Sequence, residues 1–338
     1  MSRTTKDRYH RRAMAQGVLH VPVLLDEVLA LLAPRPGQVI VDCTLGLGGH
    51  AAAILPRITT KDAATSGRLI ALDLDPANIA AARPRLERIR GRSDCFDLVH
   101  SNFAALPTVL HQLGIEKVDA VFADIGVAST QIDDPSRGFS YRRAGPLDMR
   151  MDPTRGQPAS ALVNKMSEAE LTAALLELGD ETDAAQIAGL IVQRRAISPI
   201  LTTQALMEIV CEARDFTVKR AAGAKLHPAA RTFQALRILV NRELANLDRL
   251  LAVLPDVLKP GGIGAIITFH SGEDRRVKGA FREGERSGVY AEVSREPIVA
   301  DEKEERSNPR ARSAKLRWAR RGGRPDEQPG SGNMPPLG

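Results

Sequence analysis

The chain has 338 residues, of which 43% are hydrophobic and 26% are charged. These values are typical of a globular protein with a core of its own. No apolar run approaches the roughly 20 residues of a membrane span, and the basic start is followed by no apolar signal-peptide core. The three cysteines lie far apart without a CxxC pair, which argues against a disulfide framework and a structural zinc site and favours the cytoplasm.

The net charge of +6 is concentrated at the two ends of the chain. Residues 1–12 hold five basic residues and one acid, and residues 306–324 hold eight basic residues and no acid. Basic ends on a mildly acidic body predict arms that contact a polyanion such as RNA, although a solvated basic tail explains the charge equally well. Residues 322–338 are rich in glycine and proline, which predicts a disordered tail.

Helix and strand patterns alternate along the first part of the chain. We predict helices at 22–32, 50–55, 76–90 and 103–113, and strands at 39–42, 69–73, 96–100 and 118–124. This alternation favours a parallel sheet with helices on both faces.

The alternation stops after the fourth strand. No strand is predicted between residues 133 and 241. The pattern there predicts an ordered loop at 137–156, followed by helices at 167–177, 183–195, 203–214 and 230–254. Strands are predicted again at 263–269, 289–293 and 314–318, the last two as an antiparallel edge. The simplest interpretation is a helical domain of about a hundred residues inserted after strand four.

Three acids, Asp42, Asp73 and Asp124, follow predicted parallel strands, and the carboxyl edge of such a sheet is where ligands bind. The glycine turn after Asp42 also fits G-x-G-x-x-A, which alone is a weak signal. A pyrophosphate on that turn would be repelled by Asp42. S-adenosylmethionine has no phosphate and carries a sulfonium and an ammonium group, so the acid favours this cofactor.

Two further motifs leave their roles open. Residues 227–237 begin a helix with basic side chains near its start, which fits either a phosphate or RNA contact or packing against the sheet. His270 follows the fifth predicted strand and is either a structural hydrogen-bonding residue or a base.

Several strings of the chain resemble the RsmH (MraW) family. They are DCTLGLGGH (42–50), LDLDPAN (72–78), GPLDMRMDPTRGQ (145–157), HPAARTFQALRI (227–238), FHSGEDRRVK (269–278) and NPRARSAKLRWA (308–319). Members are bacterial S-adenosylmethionine-dependent methyltransferases that act on N4 of a cytidine in 16S ribosomal RNA, near the decoding centre. The resemblance runs from about residue 20 to residue 320.

The resemblance implies an α/β class I methyltransferase fold, with a Rossmann-like, mostly parallel sheet and an inserted all-helical domain. The expected division is a methyltransferase domain at 1–130 and 241–321, a helical substrate-recognition domain at 131–240, and the tail at 322–338. It also implies a cytoplasmic enzyme whose partner is the 16S ribosomal RNA of the small subunit, and it is compatible with a homodimer.

Cofactor contacts follow from the resemblance residue by residue. They are Gly48, Gly49, His50, Asp73, Phe103, Asp124 and Gln131, and no metal ligand is implied. Two departures from the family pattern are IGVASTQ at 125–131, where the family usually has LGVSSPQ, and Gly272, where it has leucine.

Two acids in the sequence are candidates to accept the proton that the N4 amine of the cytidine loses on methylation. Many amine methyltransferases use an (Asp/Asn/Ser)-Pro-Pro-(Tyr/Phe) loop after strand four, which this chain does not have. Asp124 occupies the corresponding edge and is the first candidate, and Asp148 is the second. Two rival functions are a nucleotide-dependent oxidoreductase on the same sheet and a non-catalytic RNA-binding assembly factor.

Overall fold

The computed structural model describes residues 22–90, 95–224 and 227–323. The chain divides into two compact units, one formed by residues 1–126 and 247–338 and the other by residues 127–246. The predicted basic arm at the start lies outside the described residues, as does the predicted tail apart from residues 322 and 323. None of the helices in these ranges combines the length and the apolar character that crossing a bilayer requires.

The strands and most of the longer helices lie where the sequence predicts them. The helices are α1 (Leu25–Leu32), α2 (Gly49–Ile58), α3 (Pro76–Arg90), α4 (Leu106–Gln112), α5 (Ser129–Asp133), α6 (Ala159–Lys165), α7 (Glu168–Gly179), α8 (Ala184–Ile197), α9 (Thr203–Ala213), α10 (Val218–Ala222), α11 (Ala230–Asn241), α12 (Glu243–Val257), α13 (Ser271–Arg286) and α14 (Glu302–Ser307). The strands are β1 (Val39–Asp42), β2 (Arg68–Asp73), β3 (Phe96–His100), β4 (Val118–Asp124), β5 (Leu258–Thr268), β6 (Tyr290–Val293) and β7 (Lys315–Arg321). Five of these helices, α5, α6, α10, α13 and α14, have no counterpart among the sequence predictions.

The first unit is built on one sheet with the strand order β3-β2-β1-β4-β5-β7-β6. Strands β1 to β5 pair in parallel, and β7 runs antiparallel to both β5 and β6. This is the arrangement of the class I methyltransferase fold, so the predicted fold class is confirmed. Because the parallel strands share a direction, β1, β2 and β4 end at the same edge of the sheet. Their last residues are Asp42, Asp73 and Asp124.

Apolar side chains cover both faces of this sheet. Neighbouring strand residues point to opposite faces, and accordingly Ile40 and Ile267 belong to one buried cluster and Val41 and Ile266 to the other. Side chains of α1, α2 and α3 complete the first cluster, and side chains of α4, α12 and α13 complete the second. A sheet buried on both faces is what a run of parallel strands requires.

The second unit contains α5 to α11 and the long loop at 137–156. The loop is ordered, as predicted, because its apolar side chains Leu147 and Met149 are buried in the helical core. Asn241 fixes the loop to α11: its side chain accepts a hydrogen bond from the Met151 N–H and donates one to the Met149 carbonyl, both at 2.8 Å.

The sequence predicts one helix over 230–254, and that prediction is wrong. The structure has two helices, α11 and α12, separated at Arg242, whose φ of 52° is left-handed. The Asn241 side chain, held by the loop, fixes the end of α11. Arginine is an ordinary helix former, so its identity gave no signal of the break.

Candidate active site

The glycine turn joins β1 to α2, and its glycines are required for two different reasons, backbone conformation at Gly46 and Gly48 and close packing at Gly49. Gly46 and Gly48 have φ angles of 51° and 72°, which glycine adopts at little cost. A Cβ on Gly49 would lie 2.3 Å from the Pro22 ring. The turn therefore exposes backbone rather than side chains at the edge of the sheet.

Asp42 is fully buried beneath this turn. Its Oδ1 accepts a hydrogen bond from the Thr44 N–H at 3.1 Å, whereas its Oδ2 has no hydrogen-bond partner among the described groups. Burial raises the pKa of Asp42 to about 7, and the charge of Asp73 adds to this, although the hydrogen bond from Thr44 opposes it. A buried carboxylate oxygen without a donor fits a site that receives a cationic ligand.

We expect Asp42 to destabilise the ligand-free protein as the pH rises. A carboxyl whose folded pKa is raised keeps its proton in the folded state where the unfolded chain has lost it, so stability falls between about pH 4 and pH 7. Asp42→Asn should therefore gain up to about 4 kcal/mol relative to wild type at pH 8, and less than half of that at pH 5. Urea unfolding at both pH values measures this difference. The exposed control Asp26→Asn should show no such gain, and an equal effect of Asp42→Asn at both pH values would contradict the prediction.

Asp73 at the end of β2 is also buried, but its oxygens are occupied. Oδ2 accepts the Gly46 N–H at 2.7 Å, Oδ1 accepts the Asp75 N–H at 2.8 Å, and the Asn78 amide reaches both oxygens. Burial raises the pKa of Asp73 although these hydrogen bonds oppose the shift. These four contacts match the roughly four lone-pair directions of a carboxylate, so a ligand hydroxyl would have to replace one of the present donors, such as the Asn78 amide.

Phe103 follows β3 at the same edge. It begins a short 3₁₀ helix, Phe103–Ala105, which is capped by the Asn102 side chain. The Ser101 N–H donates to the Asp73 carbonyl at 3.1 Å, which ties this segment to the end of β2. The phenylalanine ring is half-buried and packs against the buried cluster formed with α4, α12 and α13.

Asp124 ends β4 with its carboxylate half-buried. Its backbone N–H donates to the Thr44 hydroxyl at 2.6 Å, which joins β4 to the turn after β1. Burial raises the pKa of Asp124 to about 7, the charges of Asp42 and Glu273 add to this, and Arg310 opposes it. An acid with a pKa near neutrality can accept and release protons under cellular conditions.

His50 contacts Asp124 from the first turn of α2. Its Nε2 lies 3.0 Å from the Val23 carbonyl, which can only accept, so Nε2 carries the hydrogen. In the neutral ring Nδ1 is then an acceptor, and it faces the Asp124 Oδ2 at 3.8 Å.

Glu273 is a residue of this edge that the sequence analysis missed. It lies in the first turn of α13, only 1% exposed, and its Oε1 is 3.0 Å from His270 Nε2. Gly272 leaves room for this histidine, because a Cβ there would lie 3.2 Å from the His270 ring. The capping-box spacing from 270 to 273 was the one available signal, and it indicates a helix start rather than a functional residue.

Two predicted site residues, Gln131 and Asp148, lie in the second unit. Gln131 in α5 is 3% exposed, and its Oε1 accepts the Ala128 N–H at 3.0 Å. Asp148 in the long loop pairs with Arg150 through both oxygens, at 2.8 and 2.7 Å. Burial raises the pKa of Asp148, but the hydrogen bonds from Arg150 outweigh it and the net shift is downward. Asp148 is therefore a weaker base than Asp124.

The basic segment at 306–324 is not a free arm where the structure describes it. Lys315 and Arg317 both pair with Asp274, and Arg317 is 3% exposed. Further side chains of the segment pair with neighbouring acids, namely Arg306 with Glu302, Arg312 with Glu305 and Arg320 with Glu292. The prediction of an arm is corrected because this segment supplies β7, and Lys315 and Arg317 join that strand to α13.

The strand order, the glycine turn and the acids at one edge define a protein of the class I methyltransferase type. The profile of the MraW methylase family matches residues 17–322, and the chain belongs to this family. The family resemblance inferred from the sequence is therefore confirmed.

Curated relatives resemble the chain over most of its length. A protein of Heliobacterium modesticaldum named ribosomal RNA small subunit methyltransferase H is 43% identical over 317 residues, covering 89% of this chain and 97% of its own. Proteins with the same name from Sorangium cellulosum and Nitratidesulfovibrio vulgaris are 44% and 46% identical. These alignments cover 91% and 90% of this chain, and 92% and 86% of the relatives.

Proposed function

We propose that the protein is an S-adenosylmethionine-dependent methyltransferase that modifies the exocyclic N4 amine of a cytidine in 16S ribosomal RNA. Membership of the MraW methylase family supports methyl transfer, and the printed names of the relatives support small-subunit ribosomal RNA as the substrate. A cytoplasmic location follows from that substrate.

The observation that carries the choice of cofactor is the buried carboxylate of Asp42. It is the last residue of β1, beneath the glycine turn, and its Oδ2 lacks a hydrogen-bond donor among the described groups. A phosphate on the turn would meet a negative charge, whereas a sulfonium or an ammonium group would be attracted to it. The residues present therefore fit S-adenosylmethionine better than a dinucleotide.

The residues that the family resemblance implies as cofactor contacts have distinct tasks in this proposal. S-adenosylmethionine, when bound, supplies an electrophilic methyl group. Asp73 would accept the ribose hydroxyls in exchange for a present donor such as the Asn78 amide, Phe103 would pack against the adenine, and the turn would contact the ligand through its backbone at Gly48 and Gly49. His50 and Gln131 are retained as cofactor contacts on the family resemblance.

Asp124 is proposed to accept the amine proton. The N4 lone pair of cytosine is delocalised into the ring, so the nitrogen must be oriented and allowed to become pyramidal. An acceptor on the amine hydrogens favours the charge that develops and then takes the proton. Its raised pKa suits Asp124 to this task, and Asp148 remains the second candidate because its pKa is lowered.

The target cytosine must leave any stacked helix before it can react. Chemistry on a base requires extrusion from the stack or an already open loop. We propose that the helical unit at 127–246 recognises the surrounding RNA.

Ligand-dependent melting separates the proposal from an oxidoreductase. We expect S-adenosylhomocysteine at about a hundred times its Kd to stabilise the folded protein by about 3 kcal/mol, and NAD to have no effect. Differential scanning fluorimetry gives the shift in Tm for both ligands. Asp42→Asn is the sensitive variant, since loss of its charge should reduce the shift. A shift with NAD alone would favour the oxidoreductase, and no shift with either would favour the non-catalytic assembly factor.

A further inference from the structure

Glu304 is a buried acid in a helix that is otherwise largely exposed. It is 7% exposed and is the one buried residue of α14. Its Oε1 accepts the Leu24 N–H at 2.8 Å, although 280 residues separate the two in sequence. A carboxylate is costly to bury, and neither the cofactor contacts nor the proposed chemistry uses this one. Its contact with Leu24 therefore calls for a reason.

Leu24 has a strained backbone conformation at this contact. Its φ of 53° and ψ of 33° are left-handed, which is unfavourable for a residue with a Cβ, and its side chain is fully buried. Such a conformation persists only where neighbouring groups fix it. The hydrogen bond to Glu304 and the burial of the leucine side chain supply that constraint at the start of α1.

The peptide group between Val23 and Leu24 links Glu304 to His50. Its N–H donates to Glu304, and its carbonyl oxygen accepts a hydrogen bond from His50 Nε2 at 3.0 Å. A trans peptide is planar and directs its N–H and C=O to opposite sides, so an acceptor that fixes the N–H also fixes the carbonyl. A charged acceptor on the N–H also polarises the peptide and strengthens its carbonyl as an acceptor.

The hydrogen bond from His50 to Val23 decides which ring nitrogen carries the hydrogen. With the hydrogen on Nε2, the Nδ1 that faces the Asp124 Oδ2 at 3.8 Å is an acceptor. Without the Val23 carbonyl, the carboxylate of Asp124 would favour the hydrogen on Nδ1, and His50 would donate to Asp124. A carboxylate that accepts such a hydrogen bond is a weaker base.

We propose that Glu304 is a positioning residue of the candidate active site: through the Val23–Leu24 peptide it keeps the hydrogen of His50 on Nε2 and so prevents this ring from donating to Asp124. The use of this arrangement in methyl transfer rests on the proposed function, in which Asp124 accepts the amine proton.

Nitrogen NMR of the histidine rings in the ligand-free full chain tests the inference. With ¹⁵N-labelled histidine at about pH 8, the signals of His50 are identified by their loss in His50→Gln and show which nitrogen carries the hydrogen. Glu304→Met removes the acceptor at similar volume and should move the hydrogen of His50 to Nδ1. Glu304→Gln keeps an oxygen for the Leu24 N–H and should retain the hydrogen on Nε2. Glu302→Met is the matched control, because Glu302 is exposed on the same helix and pairs with Arg306, and it should leave the His50 signals unchanged.

A folded Glu304→Met protein in which His50 keeps its hydrogen on Nε2 overturns the inference, because a purely structural acid would affect stability without changing the tautomer. An equal change of tautomer in Glu302→Met overturns it as well. If Glu304→Met does not fold, Glu304→Asp withdraws the same oxygen by one methylene group and is judged by the same criterion. The rate of methyl transfer should fall about tenfold in Glu304→Met, as a weaker base predicts, and should be retained in Glu304→Gln. A changed tautomer in a protein without methyl transfer would support the role of Glu304 and contradict the proposed function alone.

Discussion

Replacing Asp124 with Asn is expected to lower the rate of methyl transfer at least about a hundredfold, the usual contribution of a well-placed base. The fold should survive, because the backbone N–H of residue 124 still donates to Thr44 and an amide can donate to the Nδ1 of His50. The loss arises because an amide accepts no proton from the amine. Binding of the methyl donor should weaken much less than the rate.

Single-turnover kinetics with excess enzyme measure this rate, and calorimetry with S-adenosylhomocysteine measures binding. Asp119→Asn is a matched control, since Asp119 lies at the other end of β4, where it accepts hydrogen bonds from the Val39 N–H and Lys259. We expect the control to retain most of its activity at temperatures where it is folded. Near-wild-type turnover in Asp124→Asn would remove Asp124 from the mechanism.

Replacing Asp73 with Asn is expected to weaken binding of S-adenosylhomocysteine about tenfold to a hundredfold, as the loss of charged hydrogen bonds to two hydroxyls predicts. Asparagine keeps one acceptor oxygen, so either the Gly46 N–H or the Asp75 N–H retains its partner. Turnover at saturating methyl donor should change little, because Asp73 would bind the ground state and the transition state alike.

Calorimetry and saturation kinetics distinguish these two effects. Asp97→Asn serves as the control, because Asp97 lies on the neighbouring strand β3 and pairs with Arg68 away from the carboxyl edge. Unchanged affinity in Asp73→Asn would show that the ribose hydroxyls bind elsewhere. A large fall in kcat with unchanged affinity would instead place Asp73 in the chemical step.

Much of the fold could be predicted because it follows local patterns. Apolar runs that end in Asp42, Asp73 and Asp124 identify three of the parallel strands, and the parallel direction brings their ends together. The glycines at 46 and 48 indicate the turn, since the left-handed conformation that they adopt is easy for glycine. The sequence alone therefore predicts that the three acids of the candidate site lie at one edge of the sheet.

The remaining features depend on contacts between distant parts of the chain. Glu273 and Asp124 come to the same end of the sheet only because β4 and β5 are neighbours, although about 150 residues separate the two in sequence. Arg242 breaks a helix because the long loop fixes Asn241. The basic charges at 306–324 suggested an arm, but in β7 Arg317 pairs with Asp274 of α13, a partner that composition does not reveal.

Methylation of ribosomal RNA by the purified protein tests the proposed function most directly. The full chain would be incubated with isotope-labelled S-adenosylmethionine and small ribosomal subunits from cells that lack the modification, and the digested RNA analysed by mass spectrometry. We expect the isotope label in N4-methylcytidine from a single position, and we expect no label when Asp124→Asn replaces the wild-type protein. Label in another nucleoside, or no label from folded protein that binds S-adenosylhomocysteine, would contradict this expectation.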